Sequence, residues 1–448
     1  MHDETGAPAS SASVFNLREN WNHLAIRPAS QEPVIDGVRA IAILWVVVLH
    51  MVFFHFSIFP TQAIYIFYNP FTSWIQNGIL GVDLFFVISG FLMGSILFGE
   101  MKKSGGLVFS RFYVRRFLRL IPVYTAAMAI ALYLQHGDPG LPKWGNAQNF
   151  WANLLYVNNF LPVMKQYMGW CWSLALEEQF YLLLPACILL FMGLGKGRIR
   201  ILVGLMILSG TIRYAVIHFS GIVPPFRFAP YTPAWNAWFD VVYDKPWMRF
   251  GGLLSGVTGA YLNCYFMPQL KRFFARTRLI TTLSIGCLLL YIHIASTAMG
   301  SFFFDMIPYV AREIWWALHR DIFSLAVMFL ILAAIHTPKL FGGRLRRFLS
   351  WRGFYPVAQL SYSIYLVHEM LFDWLFIRIA PIFSARLGAY GTMALDSVIG
   401  LVATFVIAST LYVMIERPCM RLRSHPAVLS LIDCFRRPKL VLAASEEA

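Results

Sequence analysis

Charge is scarce in these 448 residues: 13% are Asp, Glu, Lys or Arg, against 58% apolar. A soluble chain of this length carries about a quarter charged residues, so a soluble globular fold is excluded. Cysteine is scarce too. The six cysteines lie far apart, with no CxxC and no Cys/His cluster, which argues against a disulfide framework and against a zinc site. No histidines pair at ligand spacing, so no metal is expected. The first 30 residues are polar without an apolar h-region, and no cleavable signal peptide is expected. No internal repeat and no appended soluble domain is expected.

What the chain has is long apolar runs, several near the ~18 to 20 residues that cross a bilayer. They predict an all-α integral membrane protein, a bundle of about ten transmembrane helices. The first five spans are Ala40–Phe59, Gly78–Phe98, Phe117–Leu134, Leu174–Leu194 and Ile199–Ile217. The others are Phe250–Phe266, Leu279–Thr297, Ile322–Ile335, Val357–Ile379 and Ala394–Ile415. With the N-terminus inside, the inner segments collect 27 Lys and Arg and the outer ones nine, and Arg213 lies within a span. That bias places both termini in the cytoplasm. Residues 1–32 and 421–448 are then cytoplasmic tails flanking a transmembrane domain over 33–420. The net charge of +15 belongs beside anionic headgroups, and no nucleic-acid partner is expected.

Ionisable groups inside spans are expensive and are functional candidates by default. In "IDGVRAIAILWVVVLH" Arg39 stands at the inner mouth of span 1 and His50 eleven residues on. Eleven residues rise about 16 Å and close almost three turns, so both share one face, with His50 near the midplane. The alternative is a snorkelling arginine and a histidine bonded to a neighbouring helix. Asp83 enters span 2 in "GVDLFFVISGFLMG", where Ser89, Gly90 and Gly94 allow close helix contact. In "RFYVRRFLRLIP" Arg111, Arg115, Arg116 and Arg119 suit phosphate oxygens, although the positive-inside bias alone would place arginines there.

In "WCWSLALEEQFYLLLP" Ser173, Glu177 and Tyr181 share a helix face, with Glu178 a step round it. His368, in "LSYSIYLVHEM", also comes out at mid-depth. Two mid-membrane histidines with Asp83 and Glu177 describe a polar core; buried ion pairs are the structural alternative. Residues 226–250 are rich in Trp and Tyr, with Asp240, Asp244 and Arg249. Such rings suit sugars, or else form an interfacial aromatic belt.

Taken together these segments resemble the acyltransferase 3 family of bacterial membrane O-acyltransferases over about residues 33 to 420. "DGVRAIAILWVVVLH" fits its Arg, ten residues, His pattern, and "RRFLRLIP" its Arg-x-x-Arg-x-x-Pro. "GVDLFFVISGFLMG", "WSLALEEQFYLLLP" and "LSYSIYLVHE" are similar to its span 2, 4 and 9 motifs, and "IERP" closes span 10. Glu369 and Met370 follow His368 where the family's context is aromatic or proline.

The resemblance implies transfer of an acyl group, usually acetyl from acetyl-CoA, to a hydroxyl of a cell-envelope or secreted glycan at the bacterial inner membrane. Arg39, Arg116 and Arg119 would hold the CoA phosphates. His50 would act as general base or acyl relay, oriented by Asp83 or Glu177, with His368 as a further catalytic candidate. Ser173, Tyr181 and Arg249 would face the acceptor. Some family members carry an extracytoplasmic hydrolase-like domain after span 10, and this chain would act without one. A transporter or flippase of a lipid-linked sugar, and an acyltransferase for a small cytosolic acceptor, are the competing readings. Oligomeric state stays open.

Overall fold

In lipid the backbone must satisfy its own hydrogen bonds, and a single apolar segment does so only as a helix. The computed structural model describes residues 14–29, 31–69, 71–137, 147–222, 232–276, 278–298, 308–336, 341–434 and 440–441. Nine long helices carry these residues. They are α1 Pro33–Phe54, α2 Leu80–Ser104, α3 Phe109–Gly137, α4 Trp172–Gly193, α5 Arg198–Ser220, α6 Pro246–Tyr265, α7 Arg278–Ala298, α8 Tyr309–His336 and α9 Phe354–Leu411. The only sheet among the described residues is a two-residue ladder, Gly106–Leu107 antiparallel to Leu440–Val441.

The ninth helix covers both of the last two expected spans. It turns at Gly388, whose φ of 66° and ψ of 178° are open to glycine and strained for other residues, giving arms 354–387 and 389–411. Among the described residues seven segments are long and apolar enough to cross a membrane, with both arms of α9 in the last of them. α6 is not among the seven, and its Arg249 and four glycines explain why. In α7 the apolar stretch is Leu283–Ile292.

α8 corrects one boundary. The expected span began at Ile322, after the charges Arg320 and Asp321, yet the helix begins at Tyr309. Both charges are neutralised by neighbours rather than excluded from the helix. Asp321 Oδ1 lies 3.1 Å from Arg213 Nη2, and Arg320 Nη1 lies 2.5 Å from Asp83 Oδ2.

Small residues set the tightest packing. A Cβ on Gly90 of α2 would stand 2.0 Å from the Leu253 carbonyl oxygen, and one on Gly256 of α6 2.1 Å from that of Val87. The two helices thus cross at backbone contact. At one end of the bundle the helix Leu17–Ala25 meets the C-terminal segment. There Asn20 Nδ2 donates to the Val413 carbonyl at 3.3 Å, and Arg421 pairs with Glu19 at 2.8 Å. The described parts of both termini therefore lie at one end. Residues 55–69, 71–79, 147–171 and 232–245 cover the far end.

Candidate active site

The apolar pattern that makes α1 a helix also strings Arg39 and His50 along it, and α9 places His368 and Glu369 against the upper residue. His368 Nδ1 faces the backbone carbonyls of Ile364 and Tyr365 at 3.1 and 2.9 Å. Carbonyls only accept, so this nitrogen carries the hydrogen and His368 Nε2 offers a lone pair. His50 Nδ1 lies 2.9 Å from that lone pair and must donate to it. The basic nitrogen of a neutral His50 is therefore Nε2, which faces Glu369 Oε1 at 3.3 Å. His50 and Glu369 keep 21% and 13% of their side chains exposed, enough to meet a ligand.

The three side chains bring ligand atoms within 4.8 Å of one another. As they stand, each nitrogen of His50 faces a different partner, His368 on one side and Glu369 on the other.

These groups stand at the wall of a cavity of about 1170 Å³ toward the far end of the bundle. His50, Glu369 and Asp373 supply polar lining, and aromatic rings such as Phe53, Trp172, Trp235 and Tyr243 much of the rest. In the aromatic segment that begins at residue 226, positions 226–231 lie outside the described residues. Beyond them Trp235, Trp238, Phe239 and Tyr243 are buried and line this cavity, so they are not a lipid-facing belt. Their loop is held by Asp240, which accepts from the Val163 amide at 2.6 Å, and by Asp244, paired with Lys245 at 2.7 Å. Burial pushes the Asp244 carboxyl up to about 7.

A second, narrow cavity of about 90 Å³ lies toward the end carrying the termini and is lined by Arg39, Arg116, Arg119, Ser173, Glu177 and Tyr181, among others. It brings together all three arginines expected at one anion site. Arg39 donates to Ser361 Oγ at 2.9 Å. Arg116 lies over the Tyr181 ring at 4.1 Å. Tyr181 donates to Glu177 at 3.0 Å and also bonds Ser89. Among the described residues, no carboxylate forms an ion pair with any of the three arginines. Val82 and Tyr365 line both cavities. The Tyr365 hydroxyl is fixed between the Trp170 carbonyl at 2.7 Å and Ser173 Oγ at 2.6 Å.

Two expected partners of His50 are elsewhere. Asp83 spends one oxygen on Arg249 at 3.2 Å and the other on Arg320, neutralising charges that α6 and α8 bring into the bundle. Glu177 faces Tyr181 in the narrow cavity. His368 and Glu369 are the groups that contact the His50 ring nitrogens. Arg249 sits behind the cavity wall, 5.1 to 5.4 Å from the ring centres of Phe86, Trp172 and Tyr243. Glu369, Asp373 and Tyr365 were not singled out from the sequence. Their i, i+4, i+8 spacing on one face of α9 was the available signal.

The family model described as an acyltransferase domain, acyltransferase 3, matches residues 32–413. The peptidoglycan O-acetyltransferase OatA of Listeria monocytogenes is 34% identical over 209 residues, 43% of this chain and 30% of that protein. The O-acetyltransferase OatA of Staphylococcus aureus is 28% identical over 353 residues, 75% of this chain and 50% of its own length. The nose resistant to fluoxetine protein 6 of Caenorhabditis elegans is 25% identical over 371 residues, 75% of this chain and 44% of its own. The chain thus spans half or less of the length of these curated relatives. No solved structure matches it. An arginine-lined crevice, a histidine row at the wall of an aromatic cavity and a family model over most of the sequence agree: the chain belongs to the acyltransferase 3 family.

Proposed function

We propose that this protein is a membrane O-acyltransferase. It moves an acetyl group from acetyl-CoA, bound at the end carrying the termini, to a hydroxyl of a cell-envelope or secreted glycan in the aromatic cavity. The observation that carries this reading is the pair of cavities sharing Val82 and Tyr365, one lined by three arginines and the other by His50. The placement goes with ten spans, both termini cytoplasmic, in a bacterial inner membrane. The activity named for the OatA relatives supports the reaction class.

CoA has a polyanionic end and a thioester joined by a thin chain. Arg39, Arg116 and Arg119 suit the phosphates, because guanidinium forks bind such oxygens bidentately. A crevice of about 90 Å³ is far below the ~300 Å³ at which ordinary ligand pockets begin. It suits the pantetheine chain, leaving the nucleotide at its mouth. The thioester then arrives beside Ser173 and Tyr365.

On the other side the acceptor hydroxyl meets Nε2 of His50, the nitrogen that the hydrogen bond to His368 leaves bare. The imidazole takes the hydroxyl proton as the new C–O bond forms and the C–S bond breaks, and CoA leaves as a thiolate. The same nitrogen would serve a relay, in which the acetyl group rests on Nε2 before the hydroxyl takes it. His368 fixes the tautomer in both versions, and the rings of Trp172, Trp235 and Tyr243 give a sugar flat faces to stack on.

Membranes containing wild type or His50→Ala, matched for protein level, are given radiolabelled acetyl-CoA, and label is followed into the envelope glycan fraction. Label with wild type and none with His50→Ala is expected. Equal label in both would remove His50 from the chemistry.

A further inference from the structure

Nothing in the chemistry above uses Glu369, yet its carboxyl oxygen stands 3.3 Å from the nitrogen that does the work. The hydrogen bonds of His368 settle what lies between the two groups. With His368 Nδ1–H committed to two carbonyls and His50 Nδ1–H committed to His368 Nε2, a neutral His50 turns a bare lone pair toward Glu369. Two such facing acceptor atoms attract each other only when a proton stands between them. We propose that Glu369 is a positioning residue that draws the acceptor's proton onto His50 Nε2 and stabilises the imidazolium formed there. The proposal rests on the acyl-transfer reading.

The transfer balances within the site. The acceptor hydroxyl enters the cavity that both His50 and Glu369 line. Its proton passes to Nε2, the alkoxide oxygen bonds the acetyl carbon, and the C–S bond breaks with its electron pair on sulfur. The imidazolium then gives its proton to the thiolate, releasing CoA–SH and restoring neutral His50. Positive charge exists on the ring only during this passage, so attraction to Glu369 is stronger in the transition state than in the ground state and raises kcat rather than affinity. The carboxylate does not act from the nitrogen opposite the reacting one, as in a serine-protease triad, because His368 occupies that position. Asp373, one turn along α9, also lines the cavity wall.

The test compares Glu369→Gln, which keeps volume and loses charge, with Glu369→Asp, which keeps charge and loses volume. Labelled acetyl-CoA is the donor and envelope glycan in native membranes the acceptor, with thermal unfolding as the control for folding. The expected order of kcat is wild type, then Asp, then Gln, with Gln down roughly 100-fold as for loss of one transition-state electrostatic contact. KM for acetyl-CoA should stay within about threefold, since that ligand binds at the arginines. Gln as active as wild type, or more active than Asp, overturns the proposal while leaving the acyltransferase reading intact. No transfer by wild type overturns both.

Discussion

Arg39, Arg116 and Arg119 stand half-buried beside one crevice without forming an ion pair among the described residues, and an anion entering the crevice would offset the cost of holding three like charges there. Arg116 and Arg119 follow one another by one helical turn on α3, and Arg39 comes from α1. Replacing both Arg116 and Arg119 by Gln is expected to raise KM for acetyl-CoA by roughly 10- to 100-fold with a smaller change in kcat. This follows from about 1.5–3 kcal/mol for a hydrogen bond to a charged group, allowing for non-additivity. Steady-state kinetics at varied acetyl-CoA measures it, and an unchanged KM would move the donor site elsewhere. These arginines, and both histidines, were legible in the sequence because ionisable residues stand out in apolar runs. Which groups orient His50 was not. His50 and His368 are 318 positions apart, and no spacing rule links them. Asp83 looked equally suitable until Arg249 and Arg320 were seen to take both its oxygens.

Among the helices, the α2–α6 crossing holds the ion network and the cavity wall in register. Gly256 is one of its two most exacting positions, because any Cβ there meets the Val87 carbonyl at 2.1 Å, while Gly99 near the end of α2 has nothing within 4 Å. Gly256→Val is therefore expected to destabilise the fold by several kcal/mol, as overpacking and backbone shifts do. Gly99→Ala should leave stability unchanged or slightly raised. Thermal unfolding of the two variants in detergent separates them, and equal stability would contradict the close crossing. The small residues Ser89, Gly90 and Gly94 were readable as a contact face, although their partner α6 was not. The start of α8 was misplaced for a related reason. Hydropathy charges the full desolvation cost of Arg320 and Asp321 to the span, whereas Asp83 and Arg213 on other helices offset it.

For the whole molecule, the counts of Lys and Arg predict which face is cytoplasmic, and the structure adds that the described terminal segments share one end with the arginine crevice. Ten spans are expected from the sequence; among the described residues there are nine long helices, and seven segments are long and apolar enough to cross a membrane. The last two expected spans join at Gly388, a position where only the backbone conformation, not composition, carries the turn. The central claim is that an acyl donor at one end and a hydroxyl acceptor at the other meet at His50. Proteoliposomes with the crevice facing outward, loaded internally with envelope glycan fragments and given labelled acetyl-CoA only outside, test it directly. Acetylated glycan in the lumen, absent with His50→Ala, is the predicted result. Label on an acceptor supplied outside, with none in the lumen, would contradict transfer across the bundle and point to a small acceptor on the donor side.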